Sequence, residues 1–321
     1  MSASNILVTL DGSPLAEAAL PYAAAIAHAT GERLSLLSVV ERPDYGQSET
    51  GRALSESVLQ EQSEGMAVYL DDLASRPLLE GLQIERRVVP GKPVDAILAA
   101  AGSVSTSLTV IATHGQGGLR RAFLGSVADK VMRLNATPTL VVRAGGQANA
   151  AEPPRLARIM TPLDGSPRAE AALEPAARYA RALHAQLVLI RAVLPLEAMV
   201  LSANGVYDYS DADKAQDRAA WAYLTGVRKR LAADLDVDLL LIESSPLTLP
   251  EYAVAAGIDL VIMTTRGHGG LKRLALGSVA DRMVRLGPPV MLIPTRVVER
   301  TAEQTVDQAP LVAPSTGNTT A

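Results

Sequence analysis

The sequence contains no cysteine. That excludes disulfides, thiol nucleophiles and thiolate-bound metals, and it suits a reducing compartment. Aromatic residues make up only 3% of the chain, too few for a platform on which bases stack. Neither charge sign dominates: residues 1–150 carry 12 Lys+Arg against 15 Asp+Glu, and residues 151–321 carry 18 against 19. With no basic half and no interleaved aromatics, a nucleic-acid partner is not expected. No uninterrupted apolar run approaches the ~20 residues of a membrane helix. The opening MSASNILVTLDG lacks a basic lead and has only the short apolar run Ile6–Leu10, which reads as a strand rather than a signal peptide. A soluble cytoplasmic protein with no membrane partner is the expectation.

What is present is repetition. LDGSPLAEAAL at 10–20 returns as LDGSPRAEAAL at 163–173, with ten of eleven residues identical. GQGGLRRAFLGSVADKVMR at 115–133 returns as GHGGLKRLALGSVADRMVR at 267–285. A unit of this length is a duplicated domain rather than a solenoid repeat. The boundaries expected are domain 1 at 1–143, a linker at 144–155 rich in Gly, Pro and small polar residues, domain 2 at 156–298, and a disordered tail at 299–321.

Within each copy, short β-branched runs alternate with helical patterns. Strands are expected at Ile6–Leu10, Leu34–Val40, Gln83–Val89, Leu108–Thr113 and Thr139–Arg143. Helices are expected at Pro14–Thr30, Gly51–Ser75, Pro93–Ala101 and Ser126–Leu134. In the second copy the strands fall near Ile159–Leu163, Leu187–Val193, Val237–Ser244, Leu260–Thr265 and Val290–Pro294. Strands apolar on both faces and separated by helices imply a parallel sheet covered on both sides, so the fold class is α/β. The final strand of each copy should be an edge, and edges are normally covered. Pairing of the two copies edge to edge, an intrachain pseudo-dimer, would cover both. Whether whole chains go on to form a homodimer is left open.

Two stretches in each copy could carry chemistry. Gly115, Gly117, Gly118, Gly125 and Ser126 lead from the fourth strand into the last helix; Gly267, Gly269, Gly270, Gly277 and Ser278 match them. Glycines there let backbone N–H groups approach a phosphate, and the helix start adds unpaired N–H groups and a positive dipole end. The competing reading of Ser126 with Asp129, and of Ser278 with Asp281, is a helix cap with an acid three positions on, which needs no ligand. Asp11 and Asp164 close the first strand of each copy, ahead of Gly-Ser-Pro. They are either turn residues or, if strand four lies on the far side of strand one, residues of the crevice where open parallel sheets bind ligands.

The D-G-S-P turn, the G-x-G-G-L loop, and Gly-Ser placed ten positions after the first loop glycine, each found twice, resemble the universal stress protein family in its tandem form. The resemblance covers the chain except for linker and tail. It implies two open five-stranded parallel-sheet sandwiches, Rossmann-like and of the adenine nucleotide alpha hydrolase type, with strand order 3-2-1-4-5. It also implies the branch that binds ATP, with or without magnesium. By that likeness Asp11, Asp164 and the backbone of Val40 and Val193 would lie against adenine. The glycine loops would hold the phosphates, with Ser126, Val127, Ser278 and Val279 at the helix starts. Two departures stand out: Ala112 and Thr264 occupy a position where the binding pattern has glycine, and PGKP at 90–93 aligns with SPLT at 245–248. If one site is degraded, the second copy is the expected one.

No catalytic residue or metal ligand is assigned. His28, His114, His184 and His268 do not occupy equivalent positions, so they do not read as an inherited base or ligand. Arg120, Arg121, Lys272 and Arg273 either screen phosphate charge or form a solvated face. The leading expectation is a nucleotide-dependent stress-response regulator acting on an unidentified protein partner. The alternatives are a slow ATPase or self-phosphorylating enzyme, with Asp11 as base and Ser126 or Ser278 as acceptor, and a nucleotide-free scaffold. The polar segment 41–65 reads either as a lid or as a long connection.

Overall fold

A computed structural model describes residues 4–113, 125–143, 152–195, 210–265 and 276–295. The first copy contains β1 (Asn5–Leu10), α1 (Leu20–Thr30), β2 (Arg33–Val40), α2 (Glu49–Ala74), β3 (Ile84–Pro90), α3 (Pro93–Ala101), β4 (Thr106–Thr113), α4 (Ser126–Leu134) and β5 (Thr139–Arg143). The second contains β6 (Arg158–Pro162), α5 (Pro167–Glu170), α6 (Leu173–Leu183), β7 (Gln186–Val193), α7 (Ser210–Arg230), β8 (Val237–Glu243), α8 (Leu249–Ala255), β9 (Leu260–Thr264), α9 (Ser278–Leu286) and β10 (Val290–Ile293). The helix expected over Pro14–Thr30 is divided. A 3-10 turn covers Ala16–Ala19, and α1 begins at Leu20 with a proline in its first turn, where a missing N–H costs nothing.

The strands form one ten-stranded sheet in the order β3-β2-β1-β4-β5-β10-β9-β6-β7-β8. Each copy therefore has the order 3-2-1-4-5, with parallel pairing throughout. The joint is the single antiparallel pair, Val290 opposite Val141, Met291 opposite Leu140 and Leu292 opposite Thr139. The two strands expected to be edges thus cover each other. Alternate strand residues face alternate sides, and both sides are buried. Ile6 and Val8 join a core with Ile26 of α1, Leu70 of α2, Tyr179 of α6 and Leu224 of α7. Leu7 joins a second core with Ile97 of α3, Val131 of α4, Ala253 of α8 and Met283 of α9. Each core runs through both copies, so the joint is continuous with the hydrophobic interior.

Polar contacts register the two copies. Glu32, its side chain only 9% exposed, faces Arg178 of α6 at 3.7 Å, and Arg143 Nη1 donates to the Arg285 carbonyl at 2.9 Å.

The segment after β2 is strapped to its own helix. Ser48 caps α2 by accepting the Gly51 N–H, the Tyr45 N–H donates to Ser55 Oγ at 3.3 Å, and Arg42 pairs with Glu56 at 2.6 Å. Strap and helix lie so close that a Cβ on Gly51 would fall 2.4 Å from the Tyr45 carbonyl oxygen.

Candidate functional site

In each copy β1 or β6 sits between neighbours whose connections leave in opposite directions, the place where open sheets form a crevice. In the first copy that crevice is a pocket of about 250 Å³. Its walls are apolar: Leu37 and Val39 from β2, Pro93 and Ile97 from α3, and Ile111 and Ala112 from β4. Its polar features are Thr9 and Asp11 on one side and the helix start Gly125–Ser126–Val127 on the other. Asp11, Gly125, Ser126 and Val127, distant in sequence, therefore share one cavity.

Asp11 ends β1 by forming a turn. Its Oδ1 accepts the Ser13 N–H at 3.0 Å, and Ser13 Oγ accepts the Ala16 N–H at 3.2 Å. Gly12 between them has φ +82°, a conformation glycine adopts without a steric penalty. The turn reading of the aspartate thus accounts for one of its two oxygens. Asp164 repeats the turn, with Oδ1 accepting from Ser166 N–H at 2.9 Å and Ser166 Oγ accepting from Ala169 N–H at 3.1 Å.

The capping reading of the two loop serines is not what the structure contains. Gly125 and Gly277 are the N-caps, and Ser126 and Ser278 are the first helical residues. Asp129 and Asp281 do not reach back to a cap. Each pairs with the arginine one turn on, Arg133 Nη2 to Asp129 Oδ1 at 2.8 Å and Arg285 Nε to Asp281 Oδ2 at 2.8 Å. An arginine four positions away offers a bidentate partner on the same helix face. The Ser126 hydroxyl is left at the pocket edge beside the first N–H groups of α4.

Val40 and Val193 end their strands. The Val40 carbonyl accepts the Gly91 N–H at 3.0 Å, and Val39, its neighbour, lines the pocket. Gly115, Gly117, Gly118, Gly267, Gly269 and Gly270 lie outside the described residues, as do His114, His268, Arg120, Arg121, Lys272, Arg273, residues 144–151 of the expected linker and the expected tail. His28 and His184 are exposed, away from the pocket.

The second copy departs from the first in two places. The registers pair Val40 with Pro90 and Val193 with Glu243, so the strand ends correspond. From there α3 begins after two residues, Gly91–Lys92, whereas α8 begins after five, Ser244–Thr248, with a 3-10 turn at Pro246–Thr248. SPLT therefore falls in an insertion rather than opposite PGKP. The other departure is a paired exchange. In the first copy Met66 of α2 roofs Gly12, its Cε 3.4 Å from where a Cβ would stand. The matching residue of α7 is Ala220. The vacated space is filled by Arg191, which replaces Ser38 and lies 3.1 Å from the corresponding point on Gly165, stacked on Tyr223 at 4.9 Å.

Sequence reading did not foresee a polar cluster behind the Asp11 turn. The Glu17 carboxylate accepts the Tyr69 O–H at 3.2 Å and Arg76 Nη1 at 2.7 Å. Burial, with the Glu17 carboxylate beside it, pushes the Tyr69 hydroxyl well above its ordinary pKa. Glu170 and Arg230 repeat the ion pair at 2.6 Å. Tyr223 occupies the place of Tyr69, its pKa raised by burial and by the Glu170 carboxylate beside it. The signal in the sequence was the recurrence of Glu17, Tyr69 and Arg76 as Glu170, Tyr223 and Arg230.

The model of the universal stress protein family matches residues 3–143 and again 156–294. The chain belongs to the universal stress protein family. A curated member from Bacillus subtilis (strain 168), universal stress protein YxiE, is 31% identical over 147 residues, 44% of this chain and 99% of that protein. Universal stress protein Rv1996 of Mycobacterium tuberculosis (strain ATCC 25618 / H37Rv) is 25% identical over 307 residues, 90% of this chain and 94% of its own. Among solved structures, a universal stress protein from Archaeoglobus fulgidus DSM 4304 superposes with a TM-score of 0.67 at 19% identity, covering 92% of this chain and all of its own. This last likeness concerns the fold: tandem α/β units with a sheet of mainly parallel strands. Among the described residues no helix is long and apolar enough to cross a membrane.

Proposed function

We propose that this universal stress protein binds ATP in its first repeat and acts as a nucleotide-dependent regulator in the stress response. The observation that carries the reading is the pocket joining Asp11 to the Gly125–Ser126 helix start. Its chemistry suits an adenine nucleotide. Leu37, Val39, Pro93, Ile97 and Ile111 supply flat apolar walls for a purine. The second oxygen of Asp11 can accept from an exocyclic amino group, a bond that a purine lacking that group cannot return. The N–H groups at the start of α4, a nine-residue helix, suit an anion. The Ser126 hydroxyl stands beside them as a further donor. The loop glycines Gly115, Gly117 and Gly118 would extend this anion site by their backbone amides. ATP as ligand, with or without magnesium, accords with a cytoplasmic protein. Bound nucleotide would order the glycine loop and so alter a surface read by a protein partner.

The second repeat offers Asp164, Val193, Gly277, Ser278 and Val279 at the matching places. It also has the five-residue connection Ser244–Thr248 and a guanidinium against Gly165. A cation beside the Asp164 turn competes for the carboxylate that would read the base. Nucleotide is therefore expected at the first repeat and not at the second. Denaturing the purified protein and quantifying released nucleotide tests this. A single equivalent of ATP per chain is the expected result, lost in Gly125→Val. No release, and no uptake of added ATP, would overturn the reading.

A further inference from the structure

The route by which Asp11 is held leads to the long helix α2. Asp11 stands one residue beyond β1, on a turn whose internal bonds, Asp11 to Ser13 and Ser13 to Ala16, all lie within six residues. Such a turn is anchored only by its neighbours. Met66 covers Gly12, one turn further on the same helix Tyr69 meets Glu17, and Arg76, two residues past the end of the helix, pairs with the same carboxylate. Glu17 belongs to the 3-10 turn Ala16–Ala19, whose first residue, Ala16, lines the pocket. Its side chain is 12% exposed, and both oxygens are engaged. Two side chains of α2, Met66 and Tyr69, and Arg76 just past its end thus grip the segment Gly12–Glu17 from behind.

We infer that Glu17 is a positioning residue for base recognition: by tying the Asp11 turn to α2 through Tyr69 and to the segment just past α2 through Arg76, it sets the direction of the Asp11 carboxylate. Glu17 is absent from the pocket wall and acts only through the turn. The inference rests on the reading of the pocket as an adenine-nucleotide site. The second repeat supplies an internal control. Glu170 and Arg230 form the matching ion pair with more exposed side chains, so its loss reports what breaking such a pair does to folding away from the pocket. There, however, it backs a turn roofed by Arg191 in a repeat not expected to take nucleotide.

The experiment uses the full chain and calorimetric titration with ATP and with purine riboside triphosphate, which lacks the exocyclic amino group. Wild type is compared with Glu17→Gln, Tyr69→Phe and Glu170→Gln, and thermal melts are recorded for each. Glu17→Gln is expected to weaken ATP binding by about tenfold, since small misplacements of a recognition group are costly. It is also expected to reduce the preference for ATP over the analogue towards unity. Tyr69→Phe, which removes one hydroxyl, should move both in the same direction by less. Glu170→Gln should lower the melting temperature by no more than Glu17→Gln does and leave both quantities unchanged. Wild-type affinity and preference in Glu17→Gln would overturn the inference, leaving the cluster a structural tie. Equal weakening by Glu170→Gln would overturn it as well, because the effect would then follow general stability. No ATP uptake by the wild type would instead overturn the nucleotide reading itself, and with it any role for Glu17 in base recognition.

Discussion

Asp11→Asn isolates the bond on which the proposed base recognition turns. Asp11 Oδ1 is occupied by the Ser13 N–H at 3.0 Å, and asparagine keeps an oxygen for that bond, so the turn should persist. The change falls on the second position, where an acceptor with negative charge becomes an N–H₂ donor facing the amino group of adenine. A hydrogen bond to a charged group contributes about 1.5–3 kcal/mol. Asp11 is exposed, which argues for the lower end, about 1.5 kcal/mol, or roughly tenfold in Kd. Purine riboside triphosphate has no amino group to lose, so its affinity should change little. The four titrations form a cycle in which the coupling between Asp11 and the amino group is read directly. Equal losses for both nucleotides would show that Asp11 acts only through the turn or through general electrostatics, and the proposed contact would be wrong.

Three further outcomes follow from packing and charge. Gly51→Ala would place a Cβ 2.4 Å from the Tyr45 carbonyl oxygen and 2.8 Å from that of Gly46. An overpacking cost of about 1–3 kcal/mol should exceed the ~1 kcal/mol alanine gains within a helix, so the melting temperature should fall; a rise would show the strap to be loosely held. Tyr22, Tyr69, Tyr179 and Tyr223 all have raised pKa values, chiefly through burial. Their contribution is fully present below the unfolded tyrosine value of about 10 and is lost as pH rises above it. Tyrosinate absorbance should therefore show these four titrating together with unfolding, whereas smooth titration of all eight tyrosines in the folded protein would contradict their burial. The first repeat expressed alone, residues 1–143, would present β5 as a bare edge with Leu140 and Val141 uncovered. It should dimerise through that strand in sedimentation experiments, and a stable monomer would mean that β10 is dispensable.

The doubled α/β plan was legible because it rests on local pattern and on short motifs present twice, while the strand order, and with it the approach of Asp11 to the Gly125–Ser126 helix start, came with the family resemblance those motifs carry. Helix boundaries at Pro93–Ala101 and Ser126–Leu134 were readable from local pattern as well. What was not legible depends on distance. Glu17 meets Tyr69 and Arg76 across 52 and 59 residues, and no periodicity marks three polar residues that become neighbours only when α2 crosses the β1 turn. The capping reading of Ser126 failed because Ser-x-x-Asp suits a cap by composition, while the backbone turns into the helix one residue earlier, at Gly125. The alignment of PGKP with SPLT failed because strand register, which fixes the corresponding ends at Pro90 and Glu243, is invisible in one dimension. The Val39 side chain on the pocket wall follows from the alternation of a strand whose facing is set by its partners.

Fusion of two repeats changes what each is free to be. In a dimer of identical chains every substitution acts at both sites, so a residue that harms one harms the other. Here the halves share one sheet and two continuous cores, which holds the fold while letting the sites differ. The exchange of Ser38 and Met66 for Arg191 and Ala220 has that character. Ala220 without Arg191 would leave a void over Gly165, and Arg191 with a methionine in place of Ala220 would crowd the same space. Together the two substitutions conserve volume and alter charge. The packing of the second repeat is thus maintained, and on the proposed reading, in which its Asp164 does not read a base, its retained contributions are mechanical. It supplies β10 to cover the β5 edge and Arg178 to meet Glu32. On this view the second repeat is a fixed half of the scaffold, and nucleotide-dependent change is confined to the first.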